Sequence, residues 1–237
     1  MKLENILFLD VETVPLHPNY DDLSDEDQQL FADKTSSMRK EMSAADFYKR
    51  AGIWAEFGKI ICLSVGYFTY LKSNPRQFRM TSFYGEEVEL LTNFSELLNS
   101  HFSLPYHRLC AHNGKEFDFP YIARRMMVHG LELPQSLQIA GKKPWEVPHL
   151  DTMELWKFGD YKHYTSLKLL THTLNIPSPK TDIDGSQVAQ VYYRDNNLKR
   201  IVRYCEQDVL AVAQVILRFA RHPLLTGDEI AHMRAKE

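Results

Sequence analysis

At 237 residues, 44% hydrophobic and 12% aromatic, the chain holds enough apolar material for one large domain with a real core. A formal net charge of −3 excludes a strongly basic nucleic-acid coat protein but leaves room for a local basic groove. No apolar run approaches the roughly 18 residues of a membrane span. The short apolar run Ile6-Leu7-Phe8-Leu9 is a buried strand rather than a secretory segment. Cys62, Cys110 and Cys205 have no Cys-x-x-Cys spacing, so no zinc site is expected. Their odd number predicts reduced thiols and a cytoplasmic location.

In chain order, residues 5–10 form a continuous apolar run, the pattern of a strand buried on both faces, and Pro15 stops it. Residues 16–57 carry an acidic stretch from Asp21 to Asp27 and two helix N-cap candidates, Ser24 and Ser43. They are expected to be a helical insertion, long enough for either a functional lobe or lid or a solvated excursion. Residues 59–70 and 77–84 read as strands, joined through a turn at 72–75 into a hairpin. A helix follows at 86–101, with Val88, Leu91, Phe94 and Leu98 at near-helical spacing. Residues 109–112 and 147–150 are short strands. Residues 119–129 are a helix stopped by Gly130. Further helices are expected at 165–174, 186–193 and 197–221, with Pro177 and Pro179 punctuating the link between the first two.

Four carboxylates stand out. Asp10 and Glu12 are two apart at the end of the first strand, so both project from one face. Asp118 heads a helix just after the strand that ends in His112, where a plain N-cap would also be favoured by the helix dipole. Tyr204 and Asp208 are at i and i+4 on the last helix, beside the apolar stripe of Ile201, Cys205, Val209, Val212 and Ile216. Acidic groups at the ends of apolar segments are costly unless a cation meets them, and hard divalent ions take oxygen ligands. Each pair taken alone is commonplace.

Taken in order they are not. Asp10-Val11-Glu12, then Asn113-Gly114-Lys115-Glu116-Phe117-Asp118, then Tyr204-x-x-x-Asp208 resemble the three motifs of the DEDD superfamily of 3′–5′ exonucleases. Position 203 is Arg203, not the histidine of the alternative form, so the resemblance selects the tyrosine subclass. Asp10-Val11-Glu12-Thr13-Val14-Pro15 is most similar to the exonuclease domain of family B DNA polymerases and a predicted stand-alone group related to it. His149-Leu150-Asp151-Thr152-Met153 and Tyr164-Thr165-Ser166-Leu167 resemble segments between its second and third motifs.

The resemblance implies a ribonuclease H-like α/β fold in three layers, a five-stranded mixed sheet with strand 2 antiparallel and helices on both faces. It implies one domain over residues 1–237, and release of 5′-mononucleotides from a 3′ end. Asp10, Glu12, Asp118 and Asp208 would hold two divalent ions, Mg2+ or Mn2+, and Tyr204 would orient the attacking water. Two such ions about 3.5–4 Å apart can clamp both oxygens of an in-line phosphoryl displacement. Asn113 would hold the terminal nucleotide, and Thr13 and Val14 would contact its sugar or base.

Phe117 reads as core, Asp151 as a helix N-cap or a support for the metals, and His112 as a satisfied structural histidine. Lys142-Lys143, Lys162-His163 and Lys199-Arg200 are either a phosphate groove or solvated faces. The expected substrate is the 3′ end of single-stranded DNA or RNA, with DNA favoured and no membrane involved. An RNA-trimming enzyme of the same chemistry and a catalytically silent nucleic-acid-binding module are the alternatives.

Overall fold

A computed structural model describes residues 2–70, 76–160, 164–177 and 183–233. The expected turn at 72–75, the Lys162-His163 pair and Pro179 lie outside them. The apolar run expected to be a strand is one, β1 (Ile6–Pro15), and it continues past Asp10 to the proline. Its period-2 alternation divides the core. Leu7, Leu9 and Val11 enter one apolar cluster, while Ile6 and Phe8 enter another on the opposite face.

β1 lies in the middle of a mixed sheet with β2 (Gly58–Thr69), β3 (Gln77–Tyr84), β4 (Arg108–Ala111), β5 (Leu150–Asp151) and β6 (Ile230–His232), in the order β5-β4-β1-β2-β3-β6. β2 is antiparallel to both β1 and β3, and β4 is parallel to β1 and β5. The sheet therefore has six strands rather than five. β6 forms the edge of the sheet, pairing in parallel with β3 over three residues. Ile-Ala-His is too short and too weakly alternating to announce itself. β5 covers only Leu150 and Asp151: residues 147–149 do not join the sheet, and Asp151 turns the chain directly into a helix.

One face is covered by α3 (Glu87–His101) and α4 (Asp118–Val128) through Leu91, Phe94, Leu98, Ile122 and Met126. The other face carries α8 (Leu198–Phe219), whose stripe of Ile201, Cys205, Val209, Val212 and Ile216 is buried as expected. α7 (Val188–Tyr193) packs beside it on Val14, and α6 (Leu167–Thr173) lies behind it on Val215. Small side chains beneath α8 let it sit close: a Cβ on Gly66 would collide with the Phe78 ring and Val209. Among the described residues no helix is long and apolar enough to cross a membrane.

Between β1 and β2 the chain forms α1 (Asp25–Thr35), α2 (Ala44–Phe47) and 3-10 turns, with Ser24 and Ser43 capping the two helices as expected. This lobe has its own apolar centre, Phe31, with the Tyr20, Tyr48, Trp54 and Phe57 rings 5.2–6.1 Å away. Three hydrogen bonds of 2.8 Å pin it to the sheet and α4: Thr13 and Tyr121 donate to the Gly52 carbonyl, and Arg125 donates to that of Ala55.

Arg125 also makes a bidentate pair with Glu87 at 2.9 and 2.6 Å, both side chains buried. Glu87 in turn accepts from the Ile60 amide at 2.7 Å, so one carboxylate ties α3, α4 and β2 together. Glu87→Ala strands the guanidinium in the interior. The expected cost is about 3–5 kcal/mol, read as a lower midpoint in urea unfolding.

Candidate active site

Asp10 and Glu12 occupy the even positions of β1, so they follow Phe8 onto the face covered by α8. After Glu12 the β1–β2 register slips by one residue. Glu12 faces Cys62 and Thr13 faces Ile60, leaving Ile61 as a bulge. Ile61 and Cys62 consequently both pack toward α7 and α8, and Ile60 packs toward α3. From α8, the Cys205 thiol donates to the Asp10 carbonyl at 3.3 Å. Its sulfur and one carboxylate oxygen each of Asp10 and Glu12 lie within 4.8 Å of one another. Tyr204 and Asp208, one helical turn apart, flank Cys205, and the Tyr204 hydroxyl donates to the Asp208 carboxylate.

Asp118 arrives from the other side of β1, as the first residue of α4. Phe117, not Asp118, is the N-cap position, so the plain N-cap reading fails. The loop that delivers it is held by Asp151, which accepts from the amides of Asn113 at 3.0 Å and Lys115 at 3.1 Å. Asp151 also caps α5 (Thr152–Lys157), a short helix absent from the expected elements, through the amides of Met153 and Glu154. Asn113 adopts the left-handed conformation, φ 62°, which asparagine tolerates better than most residues. Gly114 follows where a Cβ would strike Ala111 and the Phe119 ring.

The four carboxylates perturb one another. Burial first, then Glu12, Asp208 and Asp118, push Asp10 well above the ordinary carboxylate range. Burial, then Asp208, Cys62 and Asp118, do the same to Glu12, which is only 7% exposed. Asp118, 3% exposed, is pushed up to about 7 by burial and by Asp151 and Asp208, against the amides of Val11 and of Asp118 itself. Asp208 is pushed up to about 6 by burial, opposed by the Tyr204 hydroxyl. Burial, then these carboxylates, raise Tyr204, which keeps its proton at neutral pH.

A hard divalent cation fits these residues. Asp10 Oδ2 and Asp118 Oδ1 are buried oxygens without a hydrogen-bond partner, as is Asn113 Oδ1. Cys205 is no competing ligand for such an ion. Burial and neighbouring anions push its thiol well up, and hard ions prefer oxygen. Its proximity to Asp10 was not read from the sequence, although its place in the buried stripe between Tyr204 and Asp208 carried the signal.

The other expected residues divide. Asn113 lies in the loop leading to Asp118. Thr13 sits at an odd position of β1 and its hydroxyl is committed to Gly52, while Val14 is wholly enclosed against α7. Phe117 packs into the core beside Tyr121. Both ring nitrogens of His112 are engaged, by Thr152 Oγ1 and the Thr165 carbonyl, each at 2.8 Å. Of the basic pairs, Lys143 lies over the Trp145 ring and Arg200 pairs with Asp195 at 3.6 Å.

Residues 54–231, well over half of the chain, match the family described as predicted 3′–5′ exonucleases related to the exonuclease domain of PolB. The chain belongs to this family. The match includes Asp118, Tyr204 and Asp208 and begins after the strand that carries Asp10 and Glu12. The fold of this exonuclease-family chain is shared by the family B DNA polymerase from the hyperthermophilic archaeon Pyrobaculum calidifontis. At 13% identity the TM-score is 0.54 over 91% of this chain and 24% of the polymerase. The chain thus spans about a quarter of the polymerase's length.

The raised proton affinities give a signed prediction. Asp118 and Asp208 titrate near 7 and 6 when folded and near their ordinary value of 3.8 when unfolded. Their folded-state protons stabilise the metal-free chain at low pH, and that contribution is lost as pH rises from about 4 to about 7. A divalent cation bound among these carboxylates would replace it. The stabilisation gained on adding Mg2+ or Mn2+ over chelator should therefore grow from pH 5 to pH 7.5, approaching about 2.7 kcal/mol at 100-fold excess over Kd. Thermal unfolding across that range measures it.

Proposed function

We propose that the chain is a metal-dependent 3′–5′ exonuclease that shortens single-stranded nucleic acid, with DNA the preferred substrate. The observation that carries this reading is the convergence of Asp10, Glu12, Asp118 and Asp208 from β1, α4 and α8, with Asp10 Oδ2 and Asp118 Oδ1 buried and unpartnered. These four residues would hold two divalent ions, Mg2+ or Mn2+. Bound there, the ions would supply Lewis-acid neutralisation of the phosphate and an acidified water.

The protein's own contribution is orientation. Tyr204 spends its proton on Asp208, which leaves its oxygen free to accept a hydrogen bond from the attacking water. That directs a lone pair of the water at phosphorus. The water oxygen bonds to phosphorus as the bond from phosphorus to the 3′-oxygen of the preceding nucleotide breaks; the water gives up its proton to solvent, the 3′-oxygen takes one from solvent, and a 5′-mononucleotide leaves. Because Tyr204 stays protonated, it acts as an orienting group and not as the base. Asn113, with an unpartnered buried Oδ1, is the contact to the terminal nucleotide that the geometry favours among Thr13, Val14 and Asn113. Arg203 is exposed, consistent with the tyrosine form of the site.

5′-labelled single strands of DNA and RNA of equal sequence, offered with Mg2+, Mn2+ or chelator, test the proposal. Stepwise shortening from the 3′ end is expected with metal, faster on DNA, and lost in Asp208→Ala. Intact strands under every metal would overturn it, as would activity unchanged in Asp208→Ala. A higher rate on RNA would replace DNA as the substrate. Tyr204→Phe keeps the ring and removes the hydroxyl. A loss of about 10²-fold in kcat is expected, the lower end of what a positioned proton-handling group contributes.

A further inference from the structure

A row of small polar side chains runs across the sheet beneath α8. Asp10, Ser64 and Ser82 are ladder partners on β1, β2 and β3. Ser64 and Ser82 are buried, and their hydroxyls are 2.9 Å apart. Ser82 donates to Glu206 Oε1 at 2.9 Å. A hydroxyl has one proton, so Ser64 must donate to Ser82, leaving the Ser64 oxygen to accept from the Cys62 thiol at 3.7 Å. Cys62 in turn contacts Cys205, which donates to the Asp10 carbonyl. The far oxygen of Glu206 meets His232 of β6 at 3.3 Å. The directed steps from Cys62 through Ser64 and Ser82 end on the Glu206 carboxylate.

We infer that Ser64, Ser82 and Glu206 are positioning residues that fix the roll of α8, and with it the placement of Asp208 and Tyr204. Successive residues of a helix are about 100° apart. Relative to Cys205, which points at the sheet, Tyr204 and Asp208 lie on one flank and Glu206 on the other. Apart from the Cys205 thiol on the Asp10 carbonyl, the apolar stripe between them is held by non-directional burial, which tolerates a small roll. A hydrogen bond does not, because it weakens steeply off axis. A 20° roll would carry a side-chain tip through roughly 2 Å, given the overall helix radius of about 5–6 Å. Misplacement of about 1 Å can cost 10²-fold in rate. The bond from Ser82 to Glu206 blocks that motion from the flank opposite the reacting groups.

This inference rests on the reading of the carboxylates as the reaction centre, and its test separates the two. Mn2+ affinity is measured by electron paramagnetic resonance. Turnover is measured on the p-nitrophenyl ester of thymidine 5′-monophosphate, which needs no strand. In Ser82→Ala and Glu206→Leu, Mn2+ Kd should rise and kcat should fall by about 10-fold or more, as for other groups that orient ligands from behind, with KM unchanged. Glu206→Gln keeps an acceptor oxygen for Ser82 and should recover most of both. Circular dichroism below the unfolding range checks that each variant is folded.

A merely structural seam would lower Tm and leave Kd and kcat alone; that result overturns the inference, as does Glu206→Gln behaving like Glu206→Leu. If Glu206→Leu does not fold, Ser82→Ala, which removes a single oxygen, decides. Wild type that neither binds Mn2+ nor hydrolyses the ester would instead bring down the exonuclease reading and this inference with it.

Discussion

The structure is organised around an electrostatic conflict: four carboxylates share one poorly solvated place, where burial is the largest influence on the charge of each. Like charges at such spacing disfavour the folded chain unless protons or cations intervene. Apolar packing on both faces of β1 supplies the force that holds them there. Leu7, Leu9 and Val11 are buried toward α3 and α4, and Ile6 and Phe8 toward α8, so the strand cannot slip by one residue without inverting both cores. That double burial aims Asp10 and Glu12 at α8. The stress of crowded charge is thus carried by the least negotiable register in the sheet.

The remaining parts are arranged around this strand. Asp118 comes through a loop whose amides are gathered by Asp151, so a fifth carboxylate shapes the loop while adding its charge to that felt by Asp118. Gly66 and Ser64 keep the ground under α8 low enough for Cys205 to touch β1. Buried polar groups there are satisfied by one another, which makes the contact directional as well as close.

Much of this was legible in the sequence because it is periodic. Asp10 and Glu12 obey the two-residue repeat of a strand, and Tyr204 and Asp208 the four-residue repeat of a helix. Such regularities survive without knowledge of tertiary neighbours. What escaped depends on pairing at a distance. β6 is a strand only because β3 offers it an edge. α5 is too short for its own periodicity and exists because Asp151 caps it. Thr13 faces away from Asp10 and Glu12 by the strand's own alternation, but the Gly52 carbonyl that takes its hydroxyl lies 39 positions away, and nothing in the residues around Thr13 announces it. Asp151 was readable as a cap. Its second task, gathering the 113–115 amides, was not, because those partners are about 36 and 38 positions away.

The pinning of the lobe at Gly52 has a consequence for any attempt to shorten the chain. Pro15 and Gly58 are already ladder partners, so a tight turn could close β1 onto β2 with residues 16–57 removed. The excision would leave the Thr13 and Tyr121 hydroxyls and one Arg125 nitrogen without the carbonyls they now serve. Two of these donors sit three residues beyond Asp10 and three beyond Asp118. The lobe is therefore a brace shared by β1 and α4, and a miniaturised version of this protein would need new acceptors at those three atoms before its two acidic elements could keep their spacing.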